Sequence, residues 1–176
     1  MIIAVDGPAA SGKGTIARAL AKHYGLPHLD TGLLYRAVAL TVVRNELNPD
    51  IEADCFAACD FDESVLADPE LRTDEIGKIA SIVSAHPLVR TALLHRQRRF
   101  ANQPGGAVLD GAVVSIDKVL ADIRARDLRD SQRATAPLVL ANDAALLDTS
   151  FLSIESAIQR AIELVEARTR VKTATS

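Results

Sequence analysis

Nine consecutive residues, Gly7-Pro8-Ala9-Ala10-Ser11-Gly12-Lys13-Gly14-Thr15, constrain this chain more than any others. They follow a short apolar run, Ile2-Ile3-Ala4-Val5, and lead into Ile16, Leu20, Ala21 and Tyr24, which recur at helical spacing. A strand, a glycine-rich turn and a helix in that order make a phosphate cradle. Glycines at 7, 12 and 14 let the backbone curl with its N–H groups pointing inward, and they leave room for an anion to approach. The positive end of the following helix dipole faces the same anion. Lys13 adds a charge able to reach β- and γ-phosphates. Such a loop binds a nucleotide.

The 176 residues suit one domain with a small excursion. A net charge of −3 gives no general affinity for nucleic acid. With no Trp and 3% aromatic residues, the chain also lacks a base-stacking platform for single strands. No apolar run approaches the ~20 residues of a membrane span, and the start Met1-Ile2-Ile3 has no basic export signal. A cytoplasmic protein is expected. Cys55 and Cys59, four apart, lack the companions a metal site would need and are expected to be thiols buried on a helix face.

Along the chain, the pattern predicts a helix from Lys13 to Tyr24 capped by Gly25, and a strand over Leu26–Asp30. A helix is predicted from Leu33 to Leu47, ended by Asn48-Pro49. Short helices are expected around Ala53–Cys59 and Asp62–Leu66. Thr73 should cap a helix carrying Ile76, Ile79, Ala80 and Val83, which His86-Pro87 separates from another running from Leu88 to about Ala101. Ala107–Gly111 reads as a third strand, Ser115–Asp130 as a charged helix and Ala144–Thr149 as a fourth strand. Ser153–Arg168 reads as a last amphipathic helix, and Thr169–Ser176 as a disordered tail. Strands alternating with helices predict an α/β fold with a parallel sheet.

Two further stretches bear on chemistry. Asp30-Thr31-Gly32, with Tyr35-Arg36, follows the second strand, and ligands of open parallel sheets bind beyond the carboxyl ends of strands. The Arg36 fork suits a phosphate, although a solvated helix arginine is the bland alternative. Arg90 taken alone is as readily a surface arginine as a ligand. The run Arg124-Ala125-Arg126-Asp127-Leu128-Arg129-Asp130-Ser131-Gln132-Arg133 alternates in sign. In isolation it describes an exposed, salt-laced helix. Beside a phosphate loop it also suits a flap whose arginines neutralise charge in phosphoryl transfer while excluding water.

Taken together, several motifs resemble the bacterial cytidylate kinases, a family of P-loop nucleoside monophosphate kinases. They are the Gly7–Thr15 loop with its Gly-Lys-Gly-Thr ending, Leu29-Asp30-Thr31-Gly32 with Tyr35-Arg36, Val89-Arg90, Val108-Leu109-Asp110-Gly111, and the stretch from Arg126 to Ala136-Pro137-Leu138. The likeness runs from the first residues to about Ile158. It implies a P-loop NTPase-type parallel sheet flanked by helices, with a helical acceptor-binding excursion over about 31–102 and a short arginine-rich lid over about 115–136, all within one domain, 1–176. The implied reaction moves the γ-phosphoryl group of ATP, with Mg²⁺, to CMP or dCMP, in pyrimidine nucleotide metabolism. By similarity, Gly7, Pro8, Ala9, Ala10, Ser11, Gly12, Lys13, Gly14 and Thr15 would hold ATP. Thr31 and Arg36 would contact the acceptor, with Arg36 on its phosphate, and Ser81 and Arg90 would help read cytosine. Asp110 would belong to the substrate site. Arg126 and Asp130 would hold the ribose, and Arg133 would reach the phosphates in transfer. Catalysis would rest on Lys13, Arg36, Arg126 and Arg133. Small-molecule nucleotides are the expected partners, and the protein is expected to be a monomer.

The chain departs from this family pattern at one point. The family's Asp-Gly is followed by Arg-Asp, a Gly-Thr turn, another strand and an arginine-rich helix, whereas here Asp110-Gly111 runs directly into Ala112-Val113-Val114-Ser115. A crossover unit of about 30 residues or more is missing. The sheet should therefore lack one family strand, and the last strand could slide in to pair with the first. The alternative functions are an ATP-binding remnant unable to use CMP, or another small-molecule P-loop kinase.

Overall fold

The computed structural model describes residues 1–6, 11–111 and 144–174. The chain opens with β1 (Ile2–Val5), α1 (Lys13–Tyr24) and β2 (His28–Asp30). An excursion follows, made of α2 (Thr31–Arg44), α3 (Glu52–Ala57), two 3₁₀ turns (Glu63–Ala67 and Pro69–Arg72), α4 (Asp74–Val83) and α5 (Pro87–Ala101). The chain then returns to the sheet as β3 (Ala107–Asp110), and α6 (Ile154–Ala174) ends it. Among the described residues the sheet is parallel with order β1-β3-β2. β3 is the middle strand and is buried along its whole length, as its uninterrupted apolar start, Ala107-Val108-Leu109, requires of a strand covered on both faces.

Of the three apolar clusters among the described residues, two are large; the third, Ala101, Ala107 and Leu109, joins α5 to β3. One face of the sheet packs on α1 and α6 through Ile3, Val108, Ile16, Ala17, Leu20, Ala157 and Ala161. The excursion has its own larger core, in which Leu34, Val38 and Val42 of α2 meet Cys55, Leu71, Ile76, Val83, Val89 and Leu93. Each fully buried Leu or Val contributes about 1.5–3 kcal/mol, so the excursion is built to hold α2 firmly against α4. Thr73 caps α4 as its residue type predicts, its hydroxyl accepting from the Ile76 N–H. Asp30 caps α2, its Oδ1 accepting from the Gly32 N–H at 2.9 Å.

Most predicted elements are present within a few residues of their expected limits, but three differ. Ala144–Thr149 is not a strand: it pairs with nothing among the described residues, and Leu146 stands 78% exposed. A strand exists only with a partner, and β1 keeps β3 as its sole neighbour among the described residues. The expected disordered tail is helical to Ala174. No Gly or Pro interrupts it, an Arg170–Glu166 ion pair spans one turn at 3.2 Å, and the Thr169 hydroxyl donates back to the Val165 carbonyl. Of the two cysteines, Cys55 is buried on α3, while Cys59 lies just past its end. Burial pushes the Cys59 thiol up to about 11, which keeps it protonated and inert. The predicted helix over Ser115–Asp130 lies outside the described residues.

Candidate active site

The carboxyl ends of β2 and β3 and the amino end of α1 meet at one cleft of about 430 Å³. Gly12, Lys13, Gly14, Thr15 and Arg18 form one wall. Asp30, Thr31, Gly32, Asp110 and Gly111 form the other. Parallel register creates that second wall, because Asp30 of β2 is paired with Asp110 of β3 and two carboxylates therefore leave the sheet side by side.

Three packing details fix the cleft. The Thr31 hydroxyl, buried, donates to the Asp110 carbonyl at 2.7 Å and ties the start of α2 to the end of β3. Gly111 has φ +103, and a Cβ there would collide with Thr31 Oγ1, so backbone conformation and neighbour both require glycine. Gly14 serves a different purpose: a Cβ at that position would lie 2.7 Å from Asp110 Oδ2. A helix can begin this close to the Asp110 carboxylate only where it carries no side chain.

Asp110 is 7% exposed, and its Oδ1 has no hydrogen-bond partner. Burial and then the neighbouring Asp30 raise its carboxyl above the usual range, against the opposing pull of Lys13, His28 and Arg18. A buried acceptor left unmatched in this way is one that a ligand can satisfy. His28, one strand over, has its Nε2 buried without a partner, and burial lowers its pKa.

Of the residues singled out from sequence, Gly12, Lys13, Gly14, Thr15, Thr31 and Asp110 come together here, with Ser11 next to them in the chain. Arg36, Ser81 and Arg90 do not line this cleft. Arg36 Nη1 donates to the carbonyls of Leu71 at 2.6 Å and Thr73 at 3.1 Å. Its guanidinium lies against Gly77 of α4, where a Cβ would sit 2.8 Å from Nη2. Ser81, one turn further along α4, donates to the Gly77 carbonyl, and Arg90 donates to that of Ser84. Gly7, Pro8, Ala9, Ala10, Arg126, Asp130 and Arg133 lie outside the described residues. The sequence reading quoted Gly111 within a motif but gave it no role, and it missed Arg18. Arg18 was detectable only as the residue one helical turn beyond Gly14 on the same face.

A glycine-bounded helix start facing acidic strand ends, on a parallel α/β sheet flanked by helices, defines a phosphate-binding protein of the P-loop kinase kind. The sequence model of the family described as cytidylate kinase matches residues 3–112 and again 109–167. The cytidylate kinase of Xanthobacter autotrophicus is 49% identical, over 96% of this chain and 98% of the relative. Those of a Bradyrhizobium species and of Azorhizobium caulinodans are 48% and 46% identical, covering 95% and 94% of this chain and 96% and 98% of their own lengths. The chain belongs to the cytidylate kinase family. The Xanthobacter alignment runs over 204 residues against a chain of 176, so it includes at least 28 positions with no counterpart here. The two matched stretches meet at residues 109–112, which is where the departure from the family motif lies.

Proposed function

We propose that this protein transfers the γ-phosphoryl group of ATP to CMP or dCMP, releasing ADP and CDP or dCDP. The observation that carries this reading is the cleft of about 430 Å³, in which the Lys13 helix start faces Asp30-Thr31-Gly32 and Asp110-Gly111. Membership of the family supplies the substrate class.

The chemistry asks little of covalent catalysis. A phosphate oxygen of the acceptor attacks in line, and the protein's task is to position both nucleotides and neutralise the charge that gathers between them. Residues Gly7–Thr15 hold the donor's phosphates, with Lys13 on the β- and γ-groups. Arg36, Ser81 and Arg90 form the acceptor side of the excursion: Arg36 and Ser81 both meet Gly77 of α4. Arg126, Asp130 and Arg133 are assigned their ribose and phosphate roles from their motif alone. Mg²⁺ fits the donor set, since the Thr15 hydroxyl and the unmatched Asp110 carboxylate both belong to the cleft. No cluster of three or more metal-ligating side chains occurs among the described residues. When bound, that ion supplies further neutralisation of the transferring group.

On this reading 1–176 works as one kinase domain and as a monomer, in the cytoplasm. Among the described residues no helix is long and apolar enough to cross a membrane. A coupled ADP-release assay with Mg-ATP against CMP, dCMP, UMP and AMP, beside a direct ATP titration, tests the proposal. Turnover with CMP is expected, with dCMP as its companion substrate. The split at residues 109–112 favours one second reading, a relative that holds ATP without using CMP. ATP binding without turnover would establish that reading instead.

A further inference from the structure

We propose that Arg18 is a phosphate ligand for the acceptor nucleotide, a role that rests on the kinase reading above and adds a residue to it. Arg18 lies in the second turn of α1 and lines the cleft together with Asp30, Thr31 and Gly32. Its guanidinium folds back along the helix toward Gly14. A Cβ on Gly14 would lie 3.5 Å from Arg18 Nη1 and 2.7 Å from Asp110 Oδ2, so both groups border the same bare stretch of backbone. Among the described residues no hydrogen bond or ion pair within 4 Å holds the guanidinium.

Charge and direction together point to the ligand. The described lining of the cleft carries two cations, Lys13 and Arg18, against two carboxylates, Asp30 and Asp110. A pocket of zero net charge must still receive a nucleoside triphosphate and a nucleoside monophosphate, so each cation has an anion to meet. Lys13 starts the helix at the glycine loop and belongs to the donor. Arg18 is one turn deeper along the wall that faces Asp30-Thr31-Gly32, from which the acceptor excursion departs. Arg36 lies outside this cleft, on the excursion, so among the described residues Arg18 is the arginine within it able to offer a two-pronged hydrogen-bonding fork to a phosphate.

The test is calorimetric titration of the purified chain with CMP, with cytidine and with Mg-ATP, for the parent, Arg18→Ala, Arg18→Lys and Lys22→Ala. Lys22 is exposed on the same helix and outside the cleft, so Lys22→Ala measures loss of one positive charge without loss of the contact. Arg18→Ala should weaken CMP roughly 10- to 100-fold, the range for a charged hydrogen bond. Cytidine and Mg-ATP should change less than about twofold, and Arg18→Lys should fall between Ala and the parent. Thermal unfolding of Arg18→Ala should match the parent, because the side chain is exposed and unbonded. CMP affinity within twofold of the parent would overturn the proposal. So would equal losses for CMP and cytidine, or an equal loss in Lys22→Ala. If the parent binds Mg-ATP but not CMP, the kinase reading itself fails and the role of Arg18 falls with it.

Discussion

The hydrogen bond from Thr31 to the Asp110 carbonyl is a sharp place to test how the cleft is held. Replacing Thr31 with Val keeps the shape of the side chain and removes the donor. The bond is 2.7 Å long and Thr31 is 7% exposed, so water cannot readily take the lost place. An acceptor left unmatched in such a site costs about 1–3 kcal/mol. For a chain of this size each kcal/mol lowers the melting temperature by about 2–4 °C. Thr31→Ser is the matched control: it keeps the hydroxyl and gives up one buried methyl, worth about 0.8 kcal/mol. Urea unfolding followed by circular dichroism should therefore rank parent, Ser and Val in descending stability, with unchanged slopes. Thr31→Val should also raise KM for CMP, because the bond joins the two turns that make the acceptor wall. The reasoning fails if Val lies within about 0.5 kcal/mol of the parent, the scatter of neutral surface changes, or if Ser is as damaging as Val.

Three other outcomes follow from the same geometry. Lys13→Ala should abolish ATP binding and turnover, and unchanged ATP affinity in a titration would refute the phosphate loop. Arg36→Ala should raise KM for CMP at least tenfold, as loss of a charged hydrogen bond would, with little change in KM for ATP; an unaltered CMP affinity would put the acceptor elsewhere. Asp110→Asn should lose activity yet gain stability at neutral pH. The Asp110 carboxyl is raised by burial and by Asp30, so its ionised form costs stability, and that cost grows as pH rises through the raised value. The advantage of Asn should be largest at neutral and alkaline pH and shrink toward about pH 4, the ordinary carboxylate range. Urea midpoints that show the opposite trend, or a gap independent of pH, would refute the assignment of Asp110 as a buried, strained carboxylate.

Much of this site was legible because its parts are local. The helix start at Lys13 and the strand ending at Asp30 are each written within a few residues, and local chemistry selects those residue types. Thr73 as cap of α4 and the separate helices on either side of His86-Pro87 were legible for the same reason. What depends on distant partners was not legible. Ala144–Thr149 has the composition of a strand, but composition cannot supply a neighbour to pair with, and among the described residues the segment stays unpaired. Gly111 looks like an ordinary turn glycine until Thr31, 80 positions earlier in the chain, is seen to occupy the space a Cβ would need. Arg18 looks like one more helix arginine until the register of β2 against β3 brings Asp30 and Asp110 before it.

That same topology bears on whether the shortened chain can work. Residues present in the relatives but absent here fall after β3, at the junction of the two matched stretches. Among the described residues β1 is an edge strand: Ile2 is 53% exposed although Ile2-Ile3-Ala4-Val5 has the uninterrupted apolar character of a strand meant to be covered on both faces. Among the described residues no strand pairs with the side of β1 away from β3. The cleft walls come from the ends of β2 and β3 and from the starts of α1 and α2, and the bonds that fix them, Thr31 to Asp110 and Gly32 to Asp30, join only those elements. The loss of residues after β3 therefore leaves those bonds in place. It reaches catalysis only through groups that the lost residues themselves would have brought to the phosphates.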